Sequence, residues 1–365
     1  MLRVLHILQR MEPAGVQTLL MNLYQHIDRK QIQFDFLVHY QTHQFFDDVI
    51  KNNGGRIFRF SVREDYNFIK YVNDLKLFFR THPEYKIVHG HMHSLGALYL
   101  NSAKHAGIPI RIAHSHTNGI QNDPKKFIKT VMNRQYGKYA TDLFACSYDA
   151  GRYMFGNKDF RVINNAIDSE VFRFDKQLRE IKRNELGLGN SFVVGSVGRF
   201  TIQKNQIYSI DVFEKLLKIK QNAILLLIGS GPMEEKVKEY VKAKCLEEKV
   251  RFLGNRGDMP SLYMAMDIFL FPSLFEGLGI VGVEAQAAGT PVVCTDSLPK
   301  EINVSPLIYR LPLGDLNKWV HTIQVAADSK YAHTDMREYI KKAHYDIKDV
   351  TSFLSNFYLQ KANLL

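Results

Sequence analysis

The stretch that most restricts what this chain can fold into runs from Phe271 to Cys294 and reads Phe-Pro-Ser-Leu-Phe-Glu-Gly-Leu-Gly-Ile-Val-Gly-Val-Glu-Ala-Gln-Ala-Ala-Gly-Thr-Pro-Val-Val-Cys. An apolar strand over Asp267–Ser273 passes into a loop with glycines at 277, 279 and 282. A helix of small residues follows, Gly289 stops it, and a new strand begins. Such a loop places free backbone N–H groups beside the positive end of a helix dipole, which is the arrangement a phosphate requires. Two acids bracket it: Glu276 on the loop and Glu284 about one turn inside the helix.

Carboxylates are poor phosphate ligands and good acceptors for sugar hydroxyls, so the stretch reads as a nucleotide-sugar site. One acid would serve the ribose and the other the transferred hexose. A turn shaped only by its glycines, with solvated acids, leaves unexplained why two glutamates separated by seven residues precede Ala-Gln-Ala-Ala-Gly.

Short apolar runs alternate with amphipathic segments over the rest of the chain. Strands are expected at Arg3–Leu8, Phe34–His39, Arg56–Phe60, Tyr85–Met92, Pro109–His116 and Asp142–Ser147. After a break near Asn164–Phe174 the rhythm restarts at Phe192–Val197, Ala223–Gly229, Val250–Gly254, Ile268–Pro272 and Pro291–Thr295. This βαβ pattern implies two largely parallel sheets, each covered on both faces. At 365 residues the chain is long enough for two domains of ordinary size. Ligands in such sheets gather beyond the carboxyl ends of the strands.

No apolar run approaches the ~20 residues of a membrane span, and the opening Met1-Leu-Arg-Val-Leu-His-Ile-Leu reads as a strand, without a signal-peptide cleavage pattern. Cys146, Cys245 and Cys294 lack the spacing of a zinc site or disulfide framework, which suits a reducing, cytoplasmic compartment. The net charge of +11 is concentrated in residues 1–170 and fits an anionic substrate or membrane surface. No nucleic-acid-binding signature accompanies it, so nucleic acid is not expected as a partner. A basic helix over Asp123–Ala140, carrying Lys125, Lys126, Lys129, Arg134 and Lys138, and a second segment, Phe68–Arg80, with exposed-looking aromatics at 78 and 79, are the candidate membrane contacts.

Other segments carry chemistry. At Phe192–Asn205 a strand ends at Gly198, Arg199 follows and Lys204 precedes a helix, so two cations flank one strand-to-helix loop. A turn at Pro13–Gly15 leads into the first helix, and Gly15 permits close backbone approach. Eleven of the fourteen histidines fall in residues 1–170, with His89, His91 and His93 at one strand end and His114 and His116 at another. Alternate strand residues share a face, so His-x-His spacing suits a metal. No acid or cysteine completes a ligand set in the sequence, and no Asp-x-Asp motif occurs in a plausible place, so no metal is expected.

The Glu276–Gly289 segment and the Arg199/Lys204 pair resemble the signatures of the retaining family 4 glycosyltransferases of the GT-B fold. The resemblance runs from Arg3 to about residue 300, and the opening Leu-Arg-Val-Leu-His-Ile-Leu, Gln33-Phe-Asp-Phe-Leu-Val-His and Arg-Ile-Ala-His-Ser-His look like the bacterial branch that builds exopolysaccharide or capsule units. It implies an α/β, GT-B architecture: two Rossmann-like domains facing across a cleft, with the C-terminal helix crossing back to the first. Residues 1–170 with the helix 346–365 would form the acceptor-side domain and 171–345 the nucleotide-sugar domain.

The resemblance also implies roles. Arg199 and Lys204 hold the donor diphosphate, together with backbone groups of Gly277, Leu278, Gly279, Ile280 and Val281. Glu284 binds ribose, Glu276 binds the hexose, and His116, or else His114, lies beside the transferred sugar. Gly15 faces the diphosphate, although Ala14 and Gln17 depart from the family's usual Gly-Gly-Ala-Glu, and the loop Phe252–Met259, with Arg256, borders the base. The implied activity is retaining, metal-independent transfer of a hexosyl unit from a UDP-sugar to a polyprenyl-diphosphate-linked saccharide. It would need no cofactor and would act in the cytoplasm, peripherally at the inner face of the cell membrane. Rival readings are a non-catalytic GT-B module that binds a nucleotide sugar or a partner transferase, and a UDP-sugar epimerase. Which hexose, linkage, acceptor and oligomeric state apply is left open by the sequence.

Overall fold

Every paired strand is parallel in the computed structural model, which describes residues 1–93, 95–116 and 135–364. Parallel strands need crossovers, and helices lying over both faces make the strands continuously apolar rather than alternating. The second strand, Ile32–Val38, and the Ala223–Ile228 strand are accordingly buried at every position.

The chain divides into two compact units, one of residues 1–166 with 345–365 and one of residues 167–344. In the first unit the order is β1 (Leu2–Ile7), α1 (Gly15–His26), β2 (Ile32–Val38), α2 (Asp47–Asn52), β3 (Ile57–Arg59), α3 (Phe68–Thr81), β4 (Ile87–Gly90), α4 (Gly96–His105), β5 (Ile110–Ser115), β6 (Asp142–Ala145), α5 (Tyr148–Phe155) and β7 (Arg161–Val162). Its sheet runs β3-β2-β1-β4-β5-β6-β7.

The second unit contains α6 (Lys176–Glu185), β8 (Phe192–Val197), a 3₁₀ turn (Ile202–Lys204), α7 (Gln206–Leu217), β9 (Ala223–Ile228), α8 (Glu234–Ala243), β10 (Val250–Gly254), α9 (Met259–Ala265), β11 (Ile268–Phe271), α10 (Ile280–Ala287), β12 (Val292–Thr295), β13 (Ile308–Leu311), α11 (Leu316–Ala327) and α12 (Arg337–Lys342). Its sheet runs β10-β9-β8-β11-β12-β13. Each sheet reverses its winding once, between β1 and β4 and between β8 and β11. In doubly wound sheets this switch point is where a crevice opens for ligands.

The last helix, α13 (Ile347–Asn363), belongs to the first unit. Asp346 caps it by accepting from the Lys348 N–H at 2.8 Å. Its Ile347, Val350, Leu354 and Tyr358 join the core formed by β1, β2 and α1, and Lys361 pairs with Asp142 at 2.7 Å. The helix crosses back to the N-terminal sheet, as the GT-B pattern implies.

Phe78 and Phe79, read from the sequence as exposed, are both buried. On α3 they continue the inward stripe of Tyr71 and Leu75 at helical spacing. The apolar residues left on the surface are Phe68, Ile69 at 79% exposure and Leu77 at 61%. In the Asp123–Ala140 basic helix, Lys125, Lys126, Lys129 and Arg134 lie outside the described residues. Tyr136 is buried, with its hydroxyl donating to the Gly90 carbonyl. The three cysteines carry free thiols, and Cys245 is exposed. Among the described residues no helix is long and apolar enough to cross a membrane.

Candidate active site

Two loops of the second unit leave the sheet side by side at its switch point: residues 198–205 after β8 and 272–279 after β11. They are tied together along their length. The Leu274 N–H donates to the Gln203 carbonyl at 2.8 Å, Gln203 Nε2 donates to the Phe275 carbonyl at 2.8 Å, and Asn205 Nδ2 reaches the Pro272 carbonyl at 3.3 Å. Across this seam Lys204 Nζ meets Glu276 Oε1 at 2.6 Å. Both side chains are largely shielded, Glu276 being 7% exposed, and the lysine ammonium also lies over the Phe271 ring, 5.5 Å from its centroid.

The loops' shape depends on glycine. Gly198 carries a φ of +153°, and a Cβ there would press on the Lys204 methylenes at 3.1 Å. Gly279 sits in the left-handed region at φ +86°, with the Phe271 ring 3.0 Å from where its Cβ would be. Gly279 is also the N-cap of α10, so no side chain caps that helix and no acid occupies its first turn. The N–H groups of Ile280 and Val281 are therefore among those with no intrahelical acceptor. Leu278 is buried and anchors the loop, while Leu274 and Phe275 are exposed.

Arg199 follows β8 on the surface. Its carbonyl accepts from Gln206 Nε2 at 3.2 Å, and among the described residues its guanidinium has no hydrogen-bond partner. Glu284, on α10, accepts from the Tyr263 hydroxyl at 2.9 Å. Although part of its surface is exposed, the protein packed around it pushes its carboxyl up to about 7, an effect that the tyrosine donor partly offsets. Arg256 grips Asp258 with two bonds of 2.8 and 2.7 Å and approaches Glu185 at 3.5 Å. Lys182 shares the same Asp258 at 2.7 Å, and these partners hold the Asp258 carboxyl well below its usual range, the Arg256 hydrogen bond first among them. The sequence reading overlooked Gln203, Asn205 and Tyr263. The first two flank Lys204 in the same motif, whereas nothing local marks Tyr263.

The first unit holds a different constellation. His6 on β1, His89 and His91 at the end of β4, and His114 and His116 at the end of β5 project to one side of the sheet in two chains of ring nitrogens. His6 Nδ1 is 3.0 Å from His91 Nε2, and His91 Nδ1 is 3.0 Å from His116 Nε2. The Tyr358 hydroxyl lies 2.6 Å from His89 Nδ1, and His89 Nε2 is 3.1 Å from His114 Nδ1. Burial holds these imidazoles neutral, pushing His6 and His114 down to about 3 and the others well below their usual value. His114 lies inside its strand and is buried, whereas His116 is half-buried at the strand end. Gly15 opens α1, and a Cβ there would meet nothing within 4 Å.

Comparison with known proteins bears on the family and the fold. Residues 13–171 match the model described as Glycosyltransferase Family 4, and residues 179–303 match that described as Glycosyl transferases group 1. The chain is 30% identical to EpsF of Bacillus subtilis (strain 168), assigned as a glycosyltransferase, over 98% of this chain and 96% of that one. It is 25% identical to the UDP-Gal:alpha-D-GlcNAc-diphosphoundecaprenol alpha-1,3-galactosyltransferase of Escherichia coli, over 68% of this chain and 67% of that one. The fold is that of Anabaena HepE, solved with UDP and glucose, at a TM-score of 0.81 and 18% identity over 98% of this chain and 99% of that one. With its family models, a full-length relative and its two doubly wound units in agreement, the chain belongs to the GT-B glycosyltransferases of the group 1, family 4 type.

Proposed function

We propose that the chain transfers a hexosyl unit, with retained anomeric configuration, from a UDP-sugar to a polyprenyl-diphosphate-linked saccharide in exopolysaccharide or capsule synthesis. The observation that carries this reading is the shielded Lys204–Glu276 pair, which joins two loops at the switch point of a parallel sheet. Here the two charges meet each other. A bound donor supplies better partners to both, its diphosphate for the lysine and its hexose hydroxyls for the carboxylate. The E. coli relative's name specifies a UDP-sugar and a diphosphoundecaprenol acceptor, and HepE was crystallised with UDP-glucose, which supports the same donor class here.

In the transfer, the bond from the anomeric carbon to the diphosphate oxygen breaks and the acceptor oxygen attacks from the same face. The departing phosphate takes the acceptor's proton. Charge grows on that phosphate, and Arg199, Lys204 and the N–H groups from Gly277 to Val281 stabilise it, in a role that elsewhere falls to a divalent ion. Glu276 holds the hexose, Glu284 the ribose, and His116, or else His114, positions the sugar ring. Gly15 leaves room for the diphosphate, and the loop bearing Arg256 borders the base. The acceptor's lipid places the reaction at the inner membrane face. Ile69 and Leu77, exposed on α3 beside Lys76 and Arg80, suit contact with anionic lipid.

The test uses Glu276→Gln, because Lys204→Ala would take the ammonium away from a shielded carboxylate and mix instability with chemistry. The glutamine keeps the shape and an acceptor for Lys204 Nζ. Release of UDP is measured against a panel of UDP-sugars, with and without polyprenyl-diphosphate saccharide. We expect acceptor-dependent release by the wild type and a loss of about 10²–10³-fold in the variant, at an unchanged melting temperature. Wild-type turnover by the folded variant refutes the assignment. Conversion of the UDP-sugar without acceptor indicates the epimerase instead, and binding without turnover the non-catalytic module.

A further inference from the structure

We propose that His91, His114 and His116 form a binding site for one divalent transition-metal ion in the first unit, separate from the residues that would hold the donor diphosphate. Each of the three offers a ring nitrogen lying within 4.8 Å of the other two. Those of His91 and His116 are already 3.0 Å apart. Ligands about 2.0–2.1 Å from a tetrahedral zinc stand about 3.3–3.4 Å from one another, so an ion needs the His91–His116 pair to part by a few tenths of an ångström, with His114 closing in from within 4.8 Å.

The surroundings hold one unsatisfied nitrogen that such an ion would take up. His114 Nε2 is buried with no hydrogen-bond partner, as are His6 Nε2 and His116 Nδ1, which the ion would not reach. An unsatisfied polar group in a packed interior is costly. An outer layer is also in place: His91 Nε2 abuts His6 Nδ1, and His114 Nδ1 abuts His89 Nε2, which leads on to the Tyr358 hydroxyl. Ligand histidines are oriented by such partners on the far ring nitrogen.

Three imidazoles without a thiolate or carboxylate favour Zn²⁺, Cu²⁺ or Ni²⁺ over Mg²⁺ or Ca²⁺. The fourth position is left to water or a ligand on the half-buried side, at His116. With Nε2 on the ion, His116 is fixed as the Nδ1–H tautomer and keeps one donor. The site goes beyond the transfer reading, in which it would leave His116 and not His114 to position the sugar, because both ring nitrogens of His114 are then taken, and its occupancy is measured with no sugar donor present.

The full-length chain, stripped with a chelator, is titrated with Co²⁺ as a spectroscopic substitute. We expect visible d–d absorption of a four-coordinate site, saturating at one ion per chain and erased by Zn²⁺. His91→Gln and His116→Gln each abolish it. His116→Gln, at a half-buried position, guards against misfolding, and its thermal unfolding without metal should stay near wild type. His6→Gln, which alters only an outer partner, weakens affinity by about 10–100-fold. His105→Gln, at a histidine outside the cluster, changes nothing. Absence of these bands, their persistence in folded His116→Gln, or thiolate-to-cobalt charge transfer placing the ion at exposed Cys245 overturns the proposal.

Discussion

Glu284 is the residue whose environment makes the plainest claim about pH. Burial raises its carboxyl from the ordinary 4.5 to about 7, against the Tyr263 donor that lowers it. The folded state thus binds a proton that the unfolded chain has already released between those two values. The carboxyl's favourable contribution is complete below about 4.5 and is lost as pH climbs through 7. Glu284→Gln keeps the shape and an acceptor for Tyr263, and has no proton to lose. The stability gap between variant and wild type, measured as melting temperature, should widen in the variant's favour from pH 4.5 to 7 and stay constant above. A gap that does not change with pH would show that the carboxyl is not held in this way. In the proposed enzyme the same penalty has a use, since ribose hydroxyls donating to Glu284 would relieve it.

At the scale of elements, the start of α10 depends on Gly279. Alanine at a φ of +86° costs roughly 1–2 kcal/mol, and its Cβ would strike the Phe271 ring that also carries the Lys204 ammonium. Gly279→Ala should lower the second unit's melting temperature by roughly 2–8 °C and weaken UDP binding. Gly15→Ala, where the added methyl meets nothing, should leave stability unchanged; equal losses of melting temperature in the two variants would contradict this account.

The same physics decides what could be read from the chain. The strands that compose the two sheet interiors were legible because burial on both faces makes them unbroken apolar runs. β7 escaped notice because both of its residues are exposed, and β13 because Ile308-Tyr-Arg-Leu311 is a half-buried edge. Phe78 and Phe79 were misjudged by counting aromatics instead of tracing the stripe from Tyr71. Lys204 and Glu276 each stood out within a motif, but their ion pair spans 72 positions and exists only once the sheet has formed. His6 was the missing neighbour of the His-x-His pairs. One histidine in a first strand gives no local signal, and only the pairing of β1 with β4, which sets His6 opposite His89, brings it in.

At the scale of the whole molecule, hydrophobic clusters among the described residues follow the units. Two draw on residues 1–166 and 345–365, and another on residues within 167–344. The chain should therefore show two thermal transitions. UDP at a hundred times its Kd adds about 2.7 kcal/mol to whatever binds it, which raises one transition by roughly 5–10 °C for a unit of this size. If the donor site is built from the loops after β8 and β11, that transition belongs to the second unit. Ending the chain at His344 separates the possibilities. It strips Ile347, Val350, Leu354 and Tyr358 from the first core; at roughly 1.5–3 kcal/mol for each large side chain, the loss rivals the 5–15 kcal/mol by which a domain is stable. Calorimetry of the shortened chain should find the first unit's transition gone and the UDP-sensitive one intact. Survival of both transitions would mean that α13 is not needed for the first core, and loss of the UDP shift alone would mean that the donor is not held by the second unit by itself.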